Sequence, residues 1–241
     1  MDVGFETIGN ASVICYDKKP VLVTDPWLEG NPYFGSWALA YEVPEEQVEA
    51  VNNCEFVWVS HGHPDHLNID SLKRLKDKKI LVPDHVGGRI ARDLTGLGFN
   101  VTILKDRQWT ELSPRVHVLC TPDYNQDAIL LVDVDGTLLV DLNDASPRGW
   151  GPLVQKTTRE YKRSVLLEQF GYGTTDMINY FDESGARLEP RAALRLPVGK
   201  TIATVAETFG VTHAIPFSSM QKYQRSDSAW VNEFETPLEA Y

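Results

Sequence analysis

The most constraining stretch of this chain is Ser60-His61-Gly62-His63-Pro64-Asp65-His66. An apolar run, Phe56 to Val59, precedes it and reads as a buried strand. Ile69, Leu72 and Leu75 follow at helical spacing. Three histidines and one aspartate therefore sit on a strand-to-helix loop with a small residue and a stiff one between them. His61 and His63 flank Gly62 and can face one point. Asp65 and His66 come one step later and can face a second point nearby. That spacing suits two metal ions sharing a pocket, because a structural zinc closes four ligands around a single ion. The alternative is a polar helix-entry loop with incidental histidines.

The chain has 241 residues, with 23 Lys+Arg against 34 Asp+Glu and a net charge of −11. One domain over residues 1–241 is expected, since neither a repeat nor a low-complexity linker interrupts it. So acidic a chain is a poor general binder of nucleic acid or anionic membrane. Cys15, Cys54 and Cys120 are scattered, odd in number and each beside an apolar run. They read as buried thiols in a reducing compartment. The opening residues lack a basic segment and an apolar run, so no signal peptide is expected and the chain reads as soluble and cytoplasmic.

Val3–Phe5, Ala11–Tyr16 and Val21–Thr24 read as an opening meander. Trp27 to Tyr41 holds five aromatics punctuated by Gly and Pro, and reads as a long ordered loop. Its aromatics, Trp27, Tyr33 and Trp37, are candidates for a substrate wall; the other reading is a hydrophobic plug at the edge of the core. From Phe56 to Leu104 strands and helices alternate, as in βαβ units. Ala128–Val134, the turn Asp135-Gly136 and Thr137–Leu142 read as a hairpin. Pro152–Leu166 is expected to be a helix, Glu168–Tyr180 a loop, Thr201–Phe209 a helix and Val211–Phe217 the last strand. Gln221–Tyr241 is expected to close the chain with a loop and a helix. His85 reads as a surface or supporting residue and His213 as structural.

The His-x-His-x-Asp-His run resembles the signature of the metallo-β-lactamase-fold superfamily. That resemblance implies an α/β chain folded as an αββα sandwich, two mixed sheets flanked by helices, with a metal site at one sheet edge. It implies metal ligation by His61, His63, Asp65 and His66. It gives Asp25, at the end of the third strand, a supporting role behind the metals, although an aspartate before Pro26 can equally start a turn. It places a bridging carboxylate after the hairpin, where Asp144 stands, with Asp141 as the weaker candidate. The family's third histidine is missing: the loop between Cys120 and Ala128 has none. Asp123 occupies roughly that place, with Asp127 next, and the alternative is that Asp123 only shapes a turn. The family's last histidine is also missing, and Ser218 stands there as a candidate substrate contact.

The same resemblance implies two divalent metals, zinc, iron or manganese, and a small-molecule substrate. Iron is favoured if Asp123 ligates, because oxygen donors make a harder site. Hydrolysis of an ester, amide or phosphoester by a metal-bound hydroxide is the first expectation, with Asp65 orienting the hydroxide or moving its proton. The alternative is oxidation at a non-haem diiron centre. The Asp25-Pro26-Trp27-Leu28 opening and the Pro216-Phe217-Ser218-Ser219 ending are similar to the fold domain of CMP-N-acetylneuraminate hydroxylases and to diiron oxygenases of this fold. No Rieske cysteine–histidine pattern accompanies them. A metal-binding module without turnover is the third reading.

Overall fold

The structure is a computed structural model; it describes residues 1–145, 149–169, 181–188 and 198–234. Strands apolar on both faces build it. In β2 (Ser12–Asp17), Val13 and Cys15 point to one side and Ile14 to the other; in β10 (Ala128–Val134), Leu130 and Val132 point inward while Ile129 and Leu131 point outward. Period-two alternation with both sides apolar is what a sheet covered on both faces requires.

The first sheet runs β1 (Val3–Ile8), β2, β3 (Lys19–Thr24), β5 (Phe56–Trp58), β6 (Lys79–Pro83) and β7 (Asn100–Leu104). Its opening meander is antiparallel and β3, β5, β6 and β7 are parallel. The second sheet runs β13 (His213–Phe217), β12 (Arg163–Gln169), β11 (Thr137–Asn143), β10, β9 (Val116–Pro122) and β8 (Trp109–Ser113). Here β8 to β11 are antiparallel, and β11, β12 and β13 are parallel. Between the sheets, Val13, Cys15, Leu22 and Trp58 pack on Val118, Cys120, Leu130 and Leu167. The outer face of the first sheet is covered from α2 (Glu45–Asn53), α3 (Ile69–Lys73) and α4 (Arg89–Gly96) through Val51, Leu72, Ile90 and Leu94. The outer face of the second is covered from α5 (Gly151–Thr158) and α6 (Val198–Phe209) through Val154, Ile202 and Phe209. The order of layers is thus helices, sheet, sheet, helices, as expected.

Two elements differ from the expectation. The helix expected over Pro152–Leu166 ends at Thr158, and Arg163–Gln169 is strand β12, buried between β11 and β13. Its run Val165-Leu166-Leu167 fits either period, and pairing on both sides decides for the strand. The Trp27–Tyr41 segment is not all loop. It holds a single turn, α1 (Pro32–Gly35), and β4 (Trp37–Leu39), which pairs with β14 (Gln221–Tyr223). Most of the Glu168–Tyr180 loop and the end of the Gln221–Tyr241 segment lie outside the described residues. The three cysteines are buried and free, and burial raises the Cys54 thiol to about 12. No described helix is long and apolar enough to cross a membrane.

Candidate metal centre

The site forms where the C-terminal ends of strands from both sheets meet. β3 delivers Asp25, β5 delivers the His61–His66 loop, β10 is entered through Asp127, and β11 is left through Asp144. Asp25 is fully buried and anchors the arrangement. Its Oδ1 accepts the Ser60 amide at 2.8 Å; its Oδ2 accepts the Ser60 hydroxyl at 2.6 Å and lies 2.9 Å from His66 Nδ1. A carboxylate only accepts, so the His66 proton sits on Nδ1 and Nε2 presents its lone pair. Ser60 Oγ donates to Asp25, so it accepts from His61 Nδ1 at 2.8 Å, and His61 Nε2 likewise presents a lone pair. One aspartate thus sets the tautomers of two histidines, the support that ligating imidazoles require.

Those lone pairs converge. His61 Nε2 and His63 Nδ1 face each other at 2.7 Å. Asp144 Oδ2 lies 3.7 Å from each and 3.6 Å from His66 Nε2. Asp127 Oδ1 lies 3.9 Å from His61 Nε2, and Asp65 Oδ2 lies 3.4 Å from His66 Nε2. His66 Nε2 is buried and makes no hydrogen bond. The lone pairs of His61 Nε2 and His66 Nε2 thus face carboxylate oxygens, a crowding of acceptors that protons or metal cations relieve. The group His61, His63 and Asp144 meets the geometry of a metal site. The donors fall into two sets that share Asp144: His61, His63 and Asp127 on one side, Asp65 and His66 on the other. That division fits two ions.

The electrostatics repeat the demand for cations. Burial pushes His61 well below its ordinary range. Burial also opposes charge on His66, but Asp65, Asp144 and Asp25 outweigh it and hold the imidazole well above that range. Burial works against the Asp144 carboxylate too, yet His66, His63 and His61 keep it well below the usual value. Asp65 is raised, chiefly by burial; its oxygens accept the Tyr33 hydroxyl at 2.7 Å and the Asn10 side chain at 3.1 Å.

The structure moves several expected residues. Asp123 does not reach the histidines. Its Oδ1 accepts the backbone N–H groups of Asn125 at 2.7 Å and Asp127 at 3.1 Å, and its own N–H donates to the Asp127 carbonyl. Asp123 thus closes the turn that presents Asp127, and it is Asp127, four residues later, that stands beside His61. Burial, with Asp123 and Asp144 nearby, raises Asp127 to about 6. Asp127→Asn is expected to weaken metal binding at the His61 side strongly. Asp123→Asn should keep both metals, because an amide oxygen serves this turn as well. Metal analysis of both variants checks the order; the reverse result would return the position to Asp123.

Asp141 is fully buried, with Oδ1 on the Asn143 amide, and burial holds it well above the carboxylate range. No ion-pair distance under 4 Å links it to His61, His63 or His66, whereas Asp144 has three. Trp27 and Trp37 are 1% and 3% exposed, in a cluster with Tyr223 and Val231, so they plug the edge of the core and form no substrate wall. Trp27→Ala should cost about 3–5 kcal/mol in denaturant unfolding; a loss under about 1 kcal/mol would mean the ring packs on nothing. Tyr33 turns inward to Asp65 from a left-handed backbone, φ 54°. Ser218 is buried and donates to Asp144 Oδ1 at 3.1 Å, so its hydroxyl is engaged in orienting that carboxylate. His85 is buried, not on the surface; its Nε2 lies 3.2 Å from the Asp127 carbonyl. Asp65 does not line the cavity of 440 Å³ that opens on His61, His63 and Asp127, which removes the direct support for its role in proton movement. Sequence reasoning missed Asn10, whose side chain holds Asp65 and takes the Met220 amide while its carbonyl takes the Ser218 amide. A lone Asn after Gly9 carries no signal beyond a turn.

The family model of the Beta-lactamase superfamily domain matches residues 21–135. The isothiocyanate hydrolase from Delia radicum gut bacteria superposes with a TM-score of 0.58 at 17% identity, covering 95% of this chain and 91% of that one. The fold is that of the metallo-β-lactamase superfamily. CmlA, a diiron β-hydroxylase from Streptomyces venezuelae, superposes with a TM-score of 0.54 at 13% identity, over 89% of this chain and 44% of that one. Among curated proteins, the cytidine monophosphate-N-acetylneuraminic acid hydroxylase of Mus musculus is 25% identical over 168 residues, 66% of this chain and 28% of that protein. The Asterias rubens hydroxylase is 27% identical over 142 residues, 55% of this chain and 22% of that protein. The chain thus spans less than a third of the length of these two relatives.

Proposed function

We propose that this chain is a dinuclear metal enzyme acting on a small molecule, and that its metals are iron used for oxidation. One observation carries this reading: the loop that offers the family's third histidine offers Asp127 to His61 instead. Three imidazoles and three carboxylates then surround two ions, which leaves about one formal positive charge on a pair of dications. So anionic and oxygen-rich a set favours iron or manganese over zinc and stabilises higher oxidation states. A bound iron pair would supply the redox chemistry. The chain supplies the rest: Asp25 and Ser60 fix two imidazole protons away from the ions, Tyr33 and Asn10 orient Asp65, and Ser218 orients Asp144. A cavity of 440 Å³ at His61 and His63 is of small-molecule size. The hydroxylase relatives and the diiron structure support the reading.

Hydrolysis is the second reading. It is favoured by the match in size to the isothiocyanate hydrolase, 91% of which this chain covers. The metal content of protein purified without added metal separates the two. About two irons per chain are expected; zinc at that stoichiometry would overturn the oxidation reading and leave hydrolysis.

A further inference from the structure

The cavity at the metal centre has one unusual wall. It is lined by His61, Gly62, His63 and Asp127 on the metal side, and Arg89 faces them. Among its described lining residues Arg89 is the single Lys or Arg. Arg89 opens α4, and its guanidinium lies over Gly62: Nη2 is 3.7 Å from where a Cβ on that glycine would stand. The ligands His61 and His63 flank that glycine. Arg89 is not committed elsewhere. Its ion pair is with Asp93 at 3.8 Å, with both side chains mostly exposed, so solvent screens the pair to little net strength. The first turn of α4 carries no acidic residue and no side-chain cap, so its N–H groups add to the positive end. The facing loop contributes the amides of Asn125 and Gln126, and the remaining wall is apolar, from Val86 and Ile90. In a chain of net charge −11, a mouth built this way collects anions that the rest of the surface repels.

We infer that the substrate carries an anionic oxygen group, a carboxylate or a phosphate, held by Arg89, next to a short apolar segment lying on Val86 and Ile90. This rests on the metal-centre reading and adds the substrate class. A guanidinium grips either anion through two parallel N–H groups, so Arg89 fixes which end of the molecule faces the metals. The amides of Asn125 and Gln126 are placed to take the remaining oxygens or a neighbouring polar group.

The test uses metal-loaded protein, with metal content measured on every sample. Butanoate, butanamide and inorganic phosphate are titrated by calorimetry into wild type, Arg89→Gln and Arg89→Lys. Wild type should bind butanoate or phosphate, and the tighter of the two names the head group. Arg89→Gln should lose about tenfold or more, as the loss of a charged hydrogen bond implies, and Arg89→Lys less. Butanamide should bind far more weakly than butanoate wherever butanoate binds. The inference is overturned if Arg89→Gln binds both anions within twofold of wild type, if butanamide matches butanoate, or if wild type binds neither anion. Equal metal in all three proteins keeps that failure apart from failure of the metal-centre reading, which only a wild type without metal would bring about.

Discussion

Asp144→Ala is expected to lose both metals. Among the described residues its Oδ2 is the one carboxylate oxygen within 4 Å of His61, His63 and His66 together, at 3.7, 3.7 and 3.6 Å. Two dications held about 3.5–4 Å apart repel by on the order of 15–20 kcal/mol at an effective dielectric of about 20. A shared carboxylate between them offsets much of that. Without it, His61, His63 and Asp127 keep one carboxylate for one ion, and Asp65 with His66 offers two donors for the other. Metal analysis should find well under one ion per chain. Asp141→Ala is the control: that carboxyl is buried and turned to the Asn143 amide, so its removal should leave metal content unchanged. Two metals retained in Asp144→Ala, with loss in Asp141→Ala, would move the bridge to Asp141.

Asp25→Asn should lower metal affinity about 10–100-fold while the fold persists. The amide keeps the volume but turns one acceptor into a donor. With its NH₂ at the Oδ2 position, it faces His66 Nδ1 and the Ser60 hydroxyl, both donors in the native arrangement. His66 can answer only by carrying its proton on Nε2, which disables that nitrogen as a ligand. With its NH₂ at the Oδ1 position, it faces the Ser60 N–H and leaves a buried donor unpaired, at about 1–3 kcal/mol. Either orientation harms the site without a change in shape. Competition with a chelator measures the effect, and an affinity within twofold of wild type would show that Asp25 sets no tautomer.

The His61–His66 run was legible because its chemistry is dense and local, and Asp25 and Asp144, which its resemblance singled out, lie beside those histidines in the structure. The third carboxylate was not. Asp123 and Asp127 lie in one short loop, and which of them reaches His61 depends on a turn whose backbone hydrogen bonds leave no trace in residue types. The aromatics of Trp27–Tyr41 read equally as wall or plug, because exposure depends on whether β14 comes back to cover them from nearly 190 residues away. The expected helix Pro152–Leu166 runs into β12 for the same reason: Val165 to Leu167 are apolar on both faces, and only neighbours on both sides give them a period. For the aromatics and for β12, long-range pairing, not local propensity, was the missing information.

The proposed ligands are divided between the sheets, and the division has a consequence in time. His61, His63, Asp65 and His66 hang from the first sheet, whereas Asp127 and Asp144 come from the second and Ser218, which holds Asp144, follows β13. At about 5–20 residues per second, a ribosome finishes the histidines several seconds before it reaches Asp144, and later still Ser218. During that interval the nascent chain displays imidazoles that any soft or borderline ion in the cell can capture. The oxygen donors that favour a harder ion arrive last and only as the second sheet docks. On the proposed reading, selection among competing ions belongs to the finished sandwich, and a softer ion caught early would have to be exchanged once the second half of the chain has folded against the first.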